Sequence, residues 1–236
     1  MSATGKDPLG RIILDYGKDR IERQVTVESD ICDDDFITAS YLFRTYEEMP
    51  KMEQIALEHC SGSVLDIGAG SGVHSTYLKN KGLEVKSIDV SPGAVEFMQS
   101  QDLNAEVQDF YTVSEQYDTL LMMMNGIGIA GSLKNLERTL LQAKKMLRKD
   151  GQLLFDSTDI KYLYTDDDGG MWIDLNTEYY GNFNFRMHYE NQSTDWFKWL
   201  YIDFDKLQES ANKLDLKVEK LYEEDNQFLA RITLNG

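Results

Sequence analysis

Three aspartates stand at the ends of short apolar runs: Asp66 in VLDIGAGSG (Val64–Gly72), Asp89 in SIDVSP and Asp109 in VQDF. Behind the first come Gly68, Ala69, Gly70 and Gly72. Glycine at every second position lets the backbone take positive φ and lets a ligand lie against it, beside the free N–H groups of a following helix. This is a nucleotide-binding turn. Asp89 follows Gly70 by 19 residues and is placed to accept both hydroxyls of a ribose, with Val90 next to it. Asp109 can accept from an adenine amino group while the Phe110 ring covers the base. Singly, such aspartates serve as caps and turn residues; three in register with three successive strands point to one ligand.

The turn is not a dinucleotide fingerprint. GAGSG leaves the third position of GxGxxG to Val73. A carboxylate at Asp66 would meet a pyrophosphate with a repulsion of about 4 kcal/mol at ~4 Å and an effective dielectric of ~20. The same carboxylate favours a ligand with an ammonium group. S-adenosylmethionine carries an ammonium, a sulfonium, a ribose and an adenine, and no phosphate.

The elements that must hold these residues follow from periodicity. Val64–Ile67, Val85–Val90, 104–108, Tyr117–Met124 and Gln152–Asp156 read as strands, alternating with helices, and that alternation implies a parallel sheet covered on both faces. The clearest helix carries Leu133, Leu136, Leu140, Leu141 and Leu147 at helical spacing, with Lys144, Lys145, Arg148 and Lys149 at its C-terminal end. Thr112 and Glu115 have the spacing of a capping box. Strands at Leu216–Tyr222 and Phe228–Leu234 are joined by five polar residues, too few for a crossover, so one strand is reversed. The expected fold is α/β, a doubly wound, mostly parallel seven-stranded sheet with an antiparallel last strand.

Two segments lie outside that alternation. Residues 1–60 read as a helical N-terminal cap, with one helix through Leu9, Ile12, Ile13 and Tyr16 and another starting at Pro50. Residues 157–202, inside the 61–236 domain, form an inserted β-hairpin after the fifth strand. There Phe183, Phe185, Met187 and Tyr189 alternate with polar residues and face a partner strand, Trp196–Ile202. Cap and insert are expected to form the acceptor pocket; the insert is dense in aromatics, including Trp172, whose expected role is a small hydrophobic core under the hairpin.

The chain resembles the class I, Rossmann-like S-adenosylmethionine-dependent methyltransferases. VLDIGAGSG looks like their first motif, SIDVSP their second, VQDF their third and YDTLLMMMNGIG their fourth, over residues 61–236. The resemblance implies that Asp66, Gly68, Ala69, Gly70 and Gly72 hold the methionine part of the cofactor, Asp89 with Val90 the ribose, and Asp109 with Phe110 the adenine. Asn125 lies by the methionine or the substrate.

Methyl transfer is an in-line displacement that asks mainly for alignment and exclusion of water. A base is optional; the candidates are His74, His188 and Asp156. Tyr41 and Arg44 in the cap are candidate lid residues, Arg44 pairing with the cofactor carboxylate. Asn125-Gly126-Ile127-Gly128 departs from the Asn/Asp-Pro-Pro-Tyr box of DNA-base and glutamine methylation. Only Asp156 matches the strand-end carboxylates of metal-dependent catechol-type enzymes, so no metal is expected. A balance of 24 basic against 41 acidic residues, net charge −17, argues against nucleic acid and anionic membranes as partners. The start lacks an apolar signal core and the two cysteines lack disulfide spacing, which suits the cytoplasm. The expected activity is S-adenosylmethionine-dependent methylation of a small molecule. The alternatives are a protein acceptor, or cofactor binding without transfer.

Overall fold

The computed structural model describes residues 6–166 and 178–235. Trp172 and most of the turn-rich DDDGG loop lie outside the described residues. Helix α1 (Pro8–Asp19) is capped by the Asp7 side chain, which accepts from Gly10 N, and buries Ile12 and Ile13. The N-terminal region is not purely helical as expected. After α1 come strands β1 (Gln24–Ser29) and β2 (Asp35–Thr38), a one-turn helix α2 (Ala39–Leu42), and then α3 (Lys51–His59) behind Pro50.

The central region folds as its periodicity dictates. Strand β3 (Ser63–Ile67), helix α4 (Val73–Asn80), β4 (Glu84–Asp89), α5 (Pro92–Ser100), β5 (Ala105–Val107), β6 (Tyr117–Met122), α6 (Leu133–Met146) and β7 (Leu147–Thr158) follow in order. The proposed capping box at Thr112 is replaced by a 3-10 turn, Phe110–Thr112, capped by Asp109. Helix α6 stops at Met146 because Leu147 already pairs with Tyr117, which puts Arg148 and Lys149 in the extended start of β7.

The insert supplies β8 (Asn182–Tyr189), β9 (Gln192–Ser193) and β10 (Phe197–Leu200), and the chain ends with α7 (Phe204–Asn212), β11 (Leu216–Glu224) and β12 (Gln227–Leu234). The main sheet has the order β11-β12-β7-β6-β3-β4-β5, with β12 antiparallel to both neighbours and the other six strands running one way. Val64, Leu121, Leu154 and Leu229 pack under α3 and α4; Leu65, Leu120, Leu153 and Phe155 pack with α6 and α7 on the other face. Both faces are covered, which is why these strands read as apolar runs.

The two segments outside the alternation make one structure. β8 pairs with β10 on one side and with β1 of the cap on the other, giving a second antiparallel sheet in the order β10-β8-β1-β2. Thr26 faces His188 and Ser29 faces Phe185 across that junction. Gln24–Ser29 has too few residues to announce itself, and its partner lies more than 150 residues away, so local pattern could not reveal the pairing.

Candidate active site

The glycine turn opens where the strand order reverses, since from central β3 the chain builds outward first through β4 and β5 and then through β6 and β7. Gly68 and Gly70 have φ of +70° and +57°, and a Cβ on either would meet nothing within 4 Å. That open space beside bare backbone is a cradle a ligand can fill. Gly72 differs: its φ is +80°, but a Cβ there would strike Leu103 and Met98, so it serves the packing of α4.

Asp89 ties the turn to the next helix. Its Oδ2 accepts from Gly70 N at 2.9 Å and its Oδ1 from Ser91 N at 2.8 Å. A carboxylate offers about four acceptor positions, so room for ribose hydroxyls remains. Burial pushes its pKa up, and the two N–H donors pull it back in part. Asp7, which accepts from Ser91 Oγ and Gly93 N, adds a second carboxylate from α1. Val90 beside it is 71 % exposed, an apolar side chain held at the end of β4. Asp109 is exposed and accepts from Tyr111 N at 2.8 Å.

Other side chains differ from expectation. Phe110 does not cover a base: it is buried with Leu136, Leu140 and Val113 in the core beneath α6. An aromatic ring following a strand end gains more from burial than from a mouth open to water. Asp66 is 1 % exposed and turned under α4, where its Oδ2 accepts from Ser75 Oγ at 2.6 Å, and Ser75 in turn meets Ser87 at 2.7 Å. It braces α4 against β3 and β4. Burial raises its pKa, with the Ser75 bonds opposing.

Arg44 and His74 meet in an unforeseen way. Arg44 Nη2 donates to both oxygens of Glu53, at 2.6 and 2.5 Å, and His74 Nε2 lies 2.7 Å from Glu53 Oε2. All three are about 95 % buried. Burial would push the Glu53 carboxyl up, but His74 and Arg44 hold it below the usual range. His74 is therefore engaged as a brace, and the Arg44 charge is met inside the protein; its Nε lacks a partner among the described residues. The Arg44 guanidinium stacks on the half-exposed Tyr41 ring at 4.2 Å. Ser71 in the glycine turn hydrogen-bonds the Leu42 carbonyl, which fastens the cap to the cradle. Glu53 had one sequence signal: it lies three and four residues before Ala56 and Leu57, on the buried face of α3.

On the far side of the cradle, Asn125 sits at the end of β6 with φ of 56°. Its backbone N–H donates to the two oxygens of Asp156 at 3.0 and 2.9 Å, and its Nδ2 to Leu200 O at 3.2 Å. Burial pushes Asp156 up to about 6. Just beyond β10, Tyr201 has its pKa raised by burial, with Asp156 a minor contributor, and Ile202 N donates to Ser157 Oγ at 3.0 Å. His188 does not join this site. Met187 and Tyr189 on either side of it pack toward α1, so His188 points to the opposite face of the second sheet, where its Nε2 lies 2.8 Å from Glu28 Oε2.

The cap is thus tied to the glycine turn through Ser71 and Leu42, and the end of β10 with the segment after it is tied to the strand ends at Asn125 and Ser157. Gly68 and Gly70 with their open backbone, Asp89, and Asp156 bonded to Asn125 lie together at these strand ends.

A family profile for a methyltransferase domain matches residues 40–205. An S-adenosylmethionine-dependent methyltransferase from Bacteroides fragilis, in complex with S-adenosyl-L-homocysteine, is 38 % identical, with 99 % of this chain and 97 % of that chain covered and a TM-score of 0.92. The CcbJ methyltransferase from Streptomyces caelestis (13 % identity, 81 % and 95 % covered, TM-score 0.59) shares the fold. So does the sugar N-methyltransferase KedS8 from Streptoalloteichus sp. (13 %, 78 % and 85 %, 0.54). A sequence comparison with curated proteins found no match. The chain belongs to the methyltransferase domain family, and it is an S-adenosylmethionine-dependent methyltransferase.

Proposed function

We propose that the enzyme methylates a small molecule, held between the strand ends of the main sheet and the second sheet. The observation that carries this reading is the joining of cap and insert into one sheet, whose strand β10 is held by Asn125 and whose flanking segments are held by Ser71 and Ser157. A cleft roofed in this way suits a small acceptor better than a polymer strand. The net charge of −17 further disfavours nucleic acid.

S-adenosylmethionine supplies a methyl carbon already activated by the sulfonium. The residues at hand fit it. Gly68, Ala69 and Gly70 would take the methionine part in the open cradle, with Asp66 setting the turn from beneath. Asp89 would accept from the ribose hydroxyls, Val90 would pack on the base, and Asp109 would take the adenine amino group. The Arg44 Nε–H, without a partner among the described residues, would donate to the cofactor carboxylate, with Tyr41 beside it. Carboxylates at Asp7, Asp66, Asp89, Asp109 and Asp156 favour a cationic cofactor and oppose a pyrophosphate. The protein's task is then alignment and exclusion of water.

Calorimetry and a labelled-methyl assay test this. S-adenosylhomocysteine should bind the wild type, and Asp89→Ala should weaken binding by about 10- to 100-fold, the worth of hydrogen bonds to a charged group. With labelled S-adenosylmethionine and a cell extract, label should enter the small-molecule fraction. Unchanged affinity in D89A would remove Asp89 from the ribose site, and label confined to protein would refute the acceptor class.

A further inference from the structure

Two hydrogen-bond acceptors stand side by side in the acceptor cleft, short of donors. Asn125 is 8 % exposed, and its Oδ1 is buried without a partner among the described residues. Flipping the amide gives no relief, because Nδ2 donates to Leu200 O and the exchange would set oxygen against oxygen. Next to it, the Asp156 side chain accepts from the Asn125 backbone N–H and from its own, and acceptor positions remain open on the carboxylate. A buried acceptor without a donor costs stability, and a ligand that brings donors recovers it.

The surroundings fix the sign of that ligand. Glu53 acts on Asp156 to disfavour its ionised form and His74 to favour it, while Tyr41 and Tyr201 face it as neutral phenols. Asp35 reaches Tyr201 from the second sheet. Arg44, stacked on Tyr41, is already held by Glu53. An anionic acceptor would therefore meet carboxylates and no free cation among these groups.

We propose that the methyl acceptor is an amine, bound through its N–H groups to Asp156 and to Asn125 Oδ1, and that Asp156 is the base that frees its nitrogen. This rests on the reading of the cleft as the acceptor pocket. A protonated primary or secondary amine brings two or three donors and a positive charge, enough for both acceptors at once. A hydroxyl brings one donor, and an ionised carboxylate or phosphate brings none.

In the step itself, Asp156 takes one proton from the ammonium group, and the freed nitrogen lone pair attacks the methyl carbon in line with the carbon–sulfur bond. That bond breaks with its electron pair kept by sulfur. The products are the N-methylammonium compound and S-adenosylhomocysteine, and Asp156 returns its proton to water. Burial, by lifting Asp156 to about 6, matches it to a base working near neutral pH.

The test uses labelled S-adenosylmethionine and probe pairs that share a carbon skeleton, benzylamine with benzyl alcohol and glucosamine with glucose. Label should enter the amine member at least about 10-fold faster than its partner. Asp156→Asn should lower transfer to the amine about 100-fold while S-adenosylhomocysteine binding stays within about 3-fold, and Asp156→Glu should restore part of the rate. Preference for the hydroxyl members, or an undiminished rate in D156N, overturns the proposal. So do amines that neither take label nor raise the melting temperature of the S-adenosylhomocysteine-loaded protein. Failure of the wild type to bind S-adenosylhomocysteine overturns the underlying reading instead.

Discussion

Asp156 shows how a single carboxyl can be held in a costly state by the site it serves. Burial raises it from 3.8 to about 6, so ionising it works against the folded protein. The direction is opposite to that of a salt-bridged aspartate. Below about pH 4 folded and unfolded chains both carry the proton and the group contributes nothing; between about pH 4 and 6 the folded state binds the extra proton; above that the penalty is complete. Asp156→Asn keeps an acceptor for the Asn125 N–H and removes the charge. The variant should be more stable than wild type by about 1–2 kcal/mol at pH 7.5, a figure reduced for the partial exposure of the group, and the gain should vanish near pH 4. Urea unfolding at the two pH values measures it, and equal stability at pH 7.5 contradicts it. Glu53 is the contrasting case: its buried carboxylate is matched by Arg44 and His74, and its field keeps that end of α3 joined to α4.

Among the elements, α1 and α5 approach closely, and glycines allow it. A Cβ on Gly93 would lie 2.7 Å from the Gly10 carbonyl carbon, and one on Gly10 would collide with Asp7 and Ser91. The same contact carries the bonds from Ser91 Oγ and Gly93 N to Asp7, so α1 is seated against the helix that begins beside Asp89. Gly93→Ala should gain up to about 1 kcal/mol of helix propensity and lose more by overpacking backbone that cannot move aside, a net loss of about 1–2 kcal/mol. Its affinity for S-adenosylhomocysteine should fall with it, because Asp89 and Ser91 N shift together. Chemical denaturation and calorimetry read the two effects, and a stabilised G93A would show that the helices separate without cost. At the other end, Gly128 leaves room for the Trp199 ring, so the turn after β6 and the second sheet interlock. Of the aromatics in the insert, Phe183 and Phe185 meet each other and Tyr201 in tilted and edge contacts, Tyr179 joins the main core, and Trp196 is 46 % exposed.

For the molecule as a whole, the residues proposed to hold the cofactor come from the cap and from separate strand ends of the main sheet, and only the folded chain brings them together. Linkage then requires that S-adenosylhomocysteine stabilise the fold, by about 2.7 kcal/mol at a concentration ~100 times its Kd. For a chain of this size that is a rise in melting temperature of about 5–10 °C. A nicotinamide dinucleotide at equal concentration should give none. Differential scanning calorimetry with each compound decides the matter, and a shift with the dinucleotide alone would contradict the assignment of the cradle. No helix of the described residues is long and apolar enough to cross a membrane.

What the sequence determined by itself was whatever depends on near neighbours. Strand and helix periods, the glycine turn, the reversed strand behind a short polar connection, and the strand-end positions of Asp89, Asp109, Asn125 and Asp156 are all consequences of local spacing. Tertiary structure alone decided which of these side chains face the cleft. Phe110 went to the core, Asp66 went beneath α4, and His74 and Arg44 were drawn to Glu53, since each gained more from burial or a charged partner than from an open mouth. The second sheet belongs to the same class of fact. Its strands come from residues 24–38 and 182–200, and the alternation along β8 marks a strand without naming a partner 160 residues away. Thus the cofactor could be read from the residues in order, whereas the pocket proposed for the acceptor depends on the pairing of cap and insert.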